Sequence, residues 1–164
     1  MYVCRRPMPP RRSESGAVAV EFALIVPLLI ALLLAIITGG VAFSRSVSLN
    51  DAVRAGARVG ATKAITVSDT WAADVQSATT AASADGLVAA NVCVLLVKGP
   101  SSSLVRASSP SCTLAPVPAT PTGLAATDCV VKVWGQRPVT FNALFVNSSV
   151  TLKRAAVLRY ERTC

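Results

Sequence analysis

The sequence predicts an α+β protein in which a long N-terminal membrane-spanning helix continues into a small extracytoplasmic domain with a second helix and a short antiparallel sheet. Three observations favour this fold class. Residues 22–43 carry no charge, small and apolar residues then recur at helical spacing, and three β-rich stretches follow in the second half. We expect a basic leader over residues 1–16, a helix over residues 17–62 and a folded domain over residues 63–164.

The leader and the first apolar stretch differ sharply in composition. Residues 1–16 hold four arginines and three prolines, whereas residues 22–43 are uncharged. At about 1.5 Å per residue, a helix over this stretch is roughly 33 Å long, enough to cross a bilayer core. The stretch exceeds the apolar core of a secretory signal, which is about 7–15 residues. We therefore predict one membrane span, with Pro27 tolerated inside it.

The basic residues are evenly divided, so the orientation rests on two other features. The segment before the span is short and carries no domain, which places it in the cytoplasm, and the cysteines support this. Four arginines precede the span, and Arg45, Arg54, Arg58 and Lys63 follow it closely. Four cysteines lie beyond the span, an even number that fits disulfides in an oxidising compartment: Cys93, Cys112, Cys129 and Cys164. We expect a single-pass protein of the cytoplasmic (inner) membrane, with the N-terminus in the cytoplasm and the C-terminal domain outside it.

A seam of small and apolar residues extends the helix past the membrane. Its members, spaced four or three residues apart, are Ala42, Ser46, Leu49, Val53, Gly56 and Gly60. A helix over residues 17–62 is on the order of 70 Å long and must lie along something. We predict helix packing through Leu49, Val53, Gly56 and Gly60, either on the protein's own domain or on neighbouring copies.

The rest of the domain combines one helix with three strands. The helix is expected over residues 68–85, with Ser68 or Asp69 as its cap and Gly86 ending it. The strands are expected over residues 91–97, 129–134 and 150–158, and a loop over residues 99–127 separates the first two. A loop of this length should be mobile or pinned, and Cys112 is placed to pin it.

Four cysteines allow three disulfide connectivities, which the sequence cannot distinguish. Residue parity gives a weak hint that Cys93 and Cys129 meet on one face of paired strands, which leaves Cys112 for Cys164.

The chain lacks the residues that several classes of protein function require. The chain has no histidine, no Walker or GxGxxG motif, and no pair of acids spaced as a general acid and base. We therefore expect no catalysis, no cofactor and no metal. The net charge is +8, but the basic residues are dispersed and only 5% of residues are aromatic, so nucleic acid is not an expected partner.

A glycine and a glutamate stand at the start of the apolar run. Gly16 ends the leader and Glu21 lies five residues later, at the mouth of the span, where an acid is costly and marks a functional position by default. The block from Arg12 to Leu24, with Pro27 and a leucine-rich run after it, resembles the opening block of TadE-like pseudopilins of the tight-adherence (Flp-type) pilus system. Residues 49–58 resemble the family's second block, with Ala55 where a glutamate is usual.

This resemblance implies a pseudopilin-like role in the assembly of an adhesive surface pilus. A prepilin peptidase would cut between Gly16 and Ala17, since a glycine is easily accepted in an extended backbone. Glu21 and Phe22 would act in recognition or assembly, and the Glu21 carboxylate would meet the new N-terminal amine of an adjacent subunit. The implied partners are the membrane, the peptidase, other pilin-like subunits and the pilus assembly machinery.

Two other interpretations remain open at this point. A signal-anchored exported domain that binds cell wall or a partner would show no cleavage at Gly16 and would tolerate Glu21→Ala. A conventionally secreted disulfide protein would instead be cut near the outer end of the apolar run, after Gly40 or Ala42.

Overall fold

A computed structural model of the chain describes residues 15–65, 70–84, 86–99, 101, 103–108, 114–143 and 146–164. The helices are α1 (Ser15–Thr62) and α2 (Trp71–Ala81), with a short 3-10 turn at Ala89–Asn91. The strands are β1 (Val92–Lys98), β2 (Ser103–Ala107), β3 (Cys129–Ala143) and β4 (Val146–Arg159). They form one antiparallel sheet in the order β2-β1-β3-β4. The predicted α+β class, with its long N-terminal helix, is confirmed.

The chain divides into two compact units, Met1–Gly39 and Gly40–Cys164. In the first unit, the described residues belong to α1 and their side chains are mostly exposed. The apolar part of α1 is long and apolar enough to cross a membrane, and it is the one candidate span among the described residues. Pro27 lies inside this helix, as expected for a membrane segment that tolerates a mid-helix proline.

The core of the second unit is built on one face of the sheet. Its helical side is supplied by the end of α1 and by the buried face of α2, and its strand side by alternate residues of β1 and β3. The fully buried members include Val53, Trp71, Val75, Val94, Leu96, Val131 and Val133. Because successive side chains of a strand point to opposite faces, the period-two run of β-branched residues in β3 turns one row toward the helices.

The opposite face of the sheet lies under the segment that precedes β3. The Lys132 ammonium donates to the Pro118 carbonyl at 2.9 Å, and the Trp134 indole N–H donates to the Leu114 carbonyl at 2.9 Å. The β3 strand is therefore buried on both faces, which explains why its sequence is almost continuously apolar up to Trp134.

The C-terminal end of α1 is closed by groups from three parts of the chain. The last four carbonyls of an α-helix have no hydrogen-bond partner within the helix itself. Here the Val59 carbonyl accepts from the Lys63 N–H, and that of Gly60 accepts from the Trp71 indole. The C-terminal residues complete the cap, because the Glu161 N–H donates to the Ala61 carbonyl and the Arg162 Nε to the Thr62 carbonyl.

Three predicted boundaries change in the structure. The second helix ends at Ala81, so Gly86, although it has a φ of 69°, does not end it. Its caps were predicted at Ser68 or Asp69, which lie outside the described residues. The region predicted as a loop over residues 99–127 contains β2, a strand too short and polar to stand out locally. The third difference is length, since β3 and β4 pair as far as Ala143 and Val146.

Candidate functional site

The N-terminal turn of α1 carries the residues of the predicted processing site. Gly16 and Ala17 are exposed and lie within the helix, which begins at Ser15. A side chain at Gly16 would meet no atom within 4 Å. The first turn of a helix lacks partners for its N–H groups and is the part that most readily opens. Among the described residues, therefore, no packing requires a glycine at this position.

Glu21 and Phe22 follow one turn later on the same exposed helix. Phe22 is 66% exposed, and within the described part of the chain Glu21 has no ion pair. A carboxylate in an apolar segment needs a partner or a position near the headgroups. The described residues of this chain do not supply that partner.

The four residues predicted for helix packing face the interior of the second unit. Leu49 and Val53 are 2% and 0% exposed and belong to the hydrophobic core. Gly56 and Gly60 are buried as well. Of the two interpretations of the seam, the structure shows the first, in which these residues pack on the protein's own sheet and on α2.

The two glycines of the seam permit close contact between elements. A Cβ at Gly56 would overlap the Thr79 hydroxyl of α2, and one at Gly60 would lie 2.8 Å from Val131 Cγ1 and 3.2 Å from Val75 Cγ2. Both gaps are smaller than a methyl group needs. Small residues at this spacing therefore let the backbone of α1 approach α2 and β3.

One disulfide joins the start of β3 to the C-terminal residue. Cys129 bonds to Cys164, with a Cα–Cα distance of 6.4 Å. Cys93 is also disulfide-bonded, and Cys112 lies outside the described residues. The predicted Cys93–Cys129 and Cys112–Cys164 pairs are both wrong, because Cys129 and Cys164 bond to each other. The strands are antiparallel, so Cys93 lies opposite Trp134, whereas Cys129 lies opposite Lys98, at the other end of β1. That separation is roughly 17 Å along a strand.

Ion pairs between described residues include one that joins Lys63 to α2 and one that joins the start of β3 to the end of β4. The Asp74 carboxylate on α2 lies 2.6 Å from the Lys63 ammonium, and this hydrogen bond is the main cause that lowers the Asp74 pKa. Asp128 accepts from the Ala125 N–H and pairs with Arg159. These contacts, the backbone one foremost, lower the pKa of the Asp128 carboxyl.

Lys132 is the buried cation of the domain. It is 4% exposed, and its ammonium donates to Thr120 Oγ1 at 2.7 Å as well as to the Pro118 carbonyl. Burial lowers its pKa. These contacts of Lys132 were not predicted from the sequence, although a single lysine within the apolar run of β3 was a usable signal. Among the residues that the structure describes, no group of three or more acidic or cysteine side chains could hold a metal ion.

Comparison with known proteins identifies a family match for one part of this chain, residues 16–58. Searches among curated proteins and among solved structures found no match. The family model described as "TadE-like protein" matches residues 16–58. The match begins at Gly16, includes Glu21 and Phe22, and extends through the seam to Arg58. The resemblance predicted from the sequence is thereby confirmed, and the chain carries a TadE-like segment along most of α1.

Proposed function

We propose that this protein is a pilin-like, membrane-anchored subunit that acts in the assembly of a Tad/Flp-type surface pilus used for adhesion. The TadE-like match at residues 16–58 is the observation that carries the proposal. It covers the apolar helix with its glycine and glutamate, and the family association indicates involvement in Tad pilus systems. The protein acts as a structural component and as a peptidase substrate, not as an enzyme.

The proposal includes a proteolytic step at the N-terminal turn. Prepilin peptidase hydrolyses the Gly16–Ala17 peptide bond, which releases the leader and leaves Ala17 with a free amine. Three features support this step: the family match starts at Gly16, the turn is exposed, and no described residue packs against Gly16. The leader, rich in arginine, stays on the cytoplasmic side of the inner membrane, and the C-terminal domain, residues 63–164, is extracytoplasmic.

The proposal assigns Glu21 to subunit recognition. After cleavage, Ala17 becomes the N-terminus and Glu21 lies one helical turn further into the apolar segment. An acid at this depth is stabilised when it meets a cation, and the ammonium of an adjacent subunit's Ala17 is such a group. Phe22, 66% exposed beside it, is then free to contact the neighbouring helix.

Cleavage is tested on the full chain expressed with the cognate peptidase and extracted from membranes. The N-terminal sequence should begin at Ala17, and Gly16→Leu should accumulate uncut precursor. Gly39→Leu is the matched control, because Gly39 also has open space around it and lies in the same helix. It should be cut normally. A mature protein that keeps Met1, or that begins well beyond Phe22, overturns the processing step.

Assembly is tested separately with Glu21→Gln. This variant should be cut at Gly16 but should fail to support piliation, because the amide keeps the volume and loses the charge. The competing function is a membrane-anchored exported binding domain, which is favoured by a seam that packs on its own unit. That function predicts full activity for both Glu21→Gln and Gly16→Leu.

A further inference from the structure

A groove lies in the second unit between α1 and the outer edge of β4. Arg54 and Arg58 line it from the helix, and residues 155–158 line it from the strand. Its volume is about 390 Å³. We call it the arginine groove. Its walls combine two guanidinium groups with a short stretch of apolar strand, Ala155 to Leu158, and no acidic residue lines it.

The strand side of the arginine groove is an edge of the sheet. β4 pairs with β3 on one side, and no strand among the described residues pairs with it on the other. An edge strand presents a row of free N–H and C=O groups, which are a template for a further strand. Along residues 155–158 this edge is apolar and uncharged, so the protection that charged side chains usually give to an edge is missing here.

The helix side carries charge that no described residue of the protein neutralises. Arg54 and Arg58 are both exposed, and within the described part of the chain neither has a hydrogen bond or an ion pair. Like charges four residues apart destabilise a helix. The neighbouring arginines differ, since Arg154 donates to Ser46 and Arg159 pairs with Asp128. The pair in the groove is therefore available to an anion from outside.

We propose that the arginine groove binds an extended acidic segment of another protein, which adds to β4 as a strand and places two carboxylates on Arg54 and Arg58. Main-chain hydrogen bonds to the edge provide affinity in this mode, and alternate side chains provide specificity. Residues i and i+2 of a strand are about 6.6 Å apart on one face, and helix positions four apart are about 5–6 Å apart. Two acids separated by one residue thus match the arginine pair.

A second copy of this chain does not meet the requirement. The sequence holds 16 basic and 8 acidic residues, and no two acids are separated by a single residue. Antiparallel pairing of two β4 edges through residues 155–158 would also place Arg154 of one copy opposite Arg159 of the other, and like charges directly opposite are destabilising. The partner is therefore a different protein whose acidic residues alternate along an exposed strand or tail. This inference does not depend on cleavage at Gly16.

The test uses the full chain in detergent micelles and a fluorescent peptide, Thr-Val-Glu-Val-Glu-Val-Thr-Ser, with binding followed by anisotropy. Arg54→Gln and Arg58→Gln should each weaken binding at least tenfold, and the Gln-for-Glu peptide should bind at least tenfold more weakly. Lys153→Gln is the matched control. It makes the same charge change on β4, but Lys153 lies on the opposite face and donates to the Ala115 carbonyl, so binding should fall less than threefold.

Strand addition is separated from simple charge attraction by N-methylation. In an extended peptide, alternate backbone N–H groups point to opposite edges of the strand. One peptide is therefore N-methylated at the nitrogens of one edge, and a second peptide at the nitrogens of the other edge. Only one of them should lose binding, by at least tenfold, because a bound strand uses the N–H groups of a single edge. Equal effects of the two methylated peptides, or equal losses for Lys153→Gln and Arg58→Gln, overturn the proposal.

The two remaining outcomes concern other anions and the proposed function. Binding of vesicles with anionic phospholipid that depends on Arg54 and Arg58, with no binding of the peptide, also overturns the proposal, because the ligand would then be lipid. Peptide binding should be the same for the uncut Gly16→Leu chain and for the wild type. A failure of the processing step and a failure of this site are therefore distinguishable.

Discussion

Gly56→Ala is the substitution that best tests how the seam of α1 packs. An added Cβ would overlap the Thr79 hydroxyl and lie 3.0 Å from its Cβ and 3.4 Å from its Cα. The hydroxyl cannot turn away freely, because Thr79 is fully buried and donates to the Val75 carbonyl at 2.7 Å. Either α2 moves or this hydrogen bond is lost.

The expected magnitude comes from three effects. Overpacking a core by one methyl group costs about 1–3 kcal/mol, and loss of the Thr79 hydrogen bond adds about 0.5–1.5 kcal/mol. Replacing a helical glycine with alanine returns about 1 kcal/mol. We expect Gly56→Ala to lower the free energy of unfolding by about 0.5–3.5 kcal/mol. Adding Thr79→Ala should restore part of this loss, because it removes the overlapping oxygen.

The assay is chemical unfolding of the full chain in detergent, followed by tryptophan fluorescence. Both tryptophans, Trp71 and Trp134, are buried in the second unit and report on its core. Gly40→Ala is the control, because a side chain there meets no atom within 4 Å, and it should not be destabilising. Unchanged unfolding of Gly56→Ala, together with an altered oligomeric state, would show that the seam contacts another subunit instead.

Two further substitutions test the contacts that hold the C-terminal domain together. Lys132→Met should cost about 1–3 kcal/mol and increase hydrogen exchange over residues 114–123, because the Pro118 carbonyl and Thr120 lose a charged donor. Lys98→Met is its control, and equal hydrogen exchange in both variants would contradict the proposed role of the Lys132 ammonium in holding residues 114–123. Asp128→Asn should flatten the loss of stability in acid. Since the folded pKa of Asp128 is lowered below 3.8, the unfolded chain binds more protons, so the wild type loses this stabilisation as pH falls from about 4 through the folded pKa. Unfolding midpoints measured between pH 2 and 6 check this, and an unchanged slope in Asp128→Asn would refute it.

Because the seam packs on the protein's own domain, fewer residues of α1 are accessible for contact with another protein. Leu49, Val53, Gly56 and Gly60 are occupied within the second unit, so they are not free for a neighbouring helix. The apolar side chains before Gly40 remain exposed, Phe22, Leu24 and Leu28 among them. We therefore expect contacts between membrane helices to lie in the TadE-like segment before Gly40.

The elements that the sequence predicted well are those with a strong local pattern. Helical spacing of small and apolar residues predicts α1 as far as Thr62. Runs of β-branched residues predict the central parts of β1 and β3, and each of these signals lies within one short stretch of the chain. The candidate span and the TadE-like block are also continuous segments, so both can be recognised in the sequence without knowledge of tertiary contacts.

What only the tertiary structure decided depends on residues far apart in the chain. The cap of α1 joins Thr62 to Arg162, 100 residues later, and the Cys129–Cys164 bond follows from strand register, which no single segment encodes. The arginine groove has the same origin, because Arg54 and Leu158 become neighbours only when α1 lies beside β4. Sequence periodicity specifies which face of an element is apolar, whereas the partner of that face is selected by packing over the whole domain.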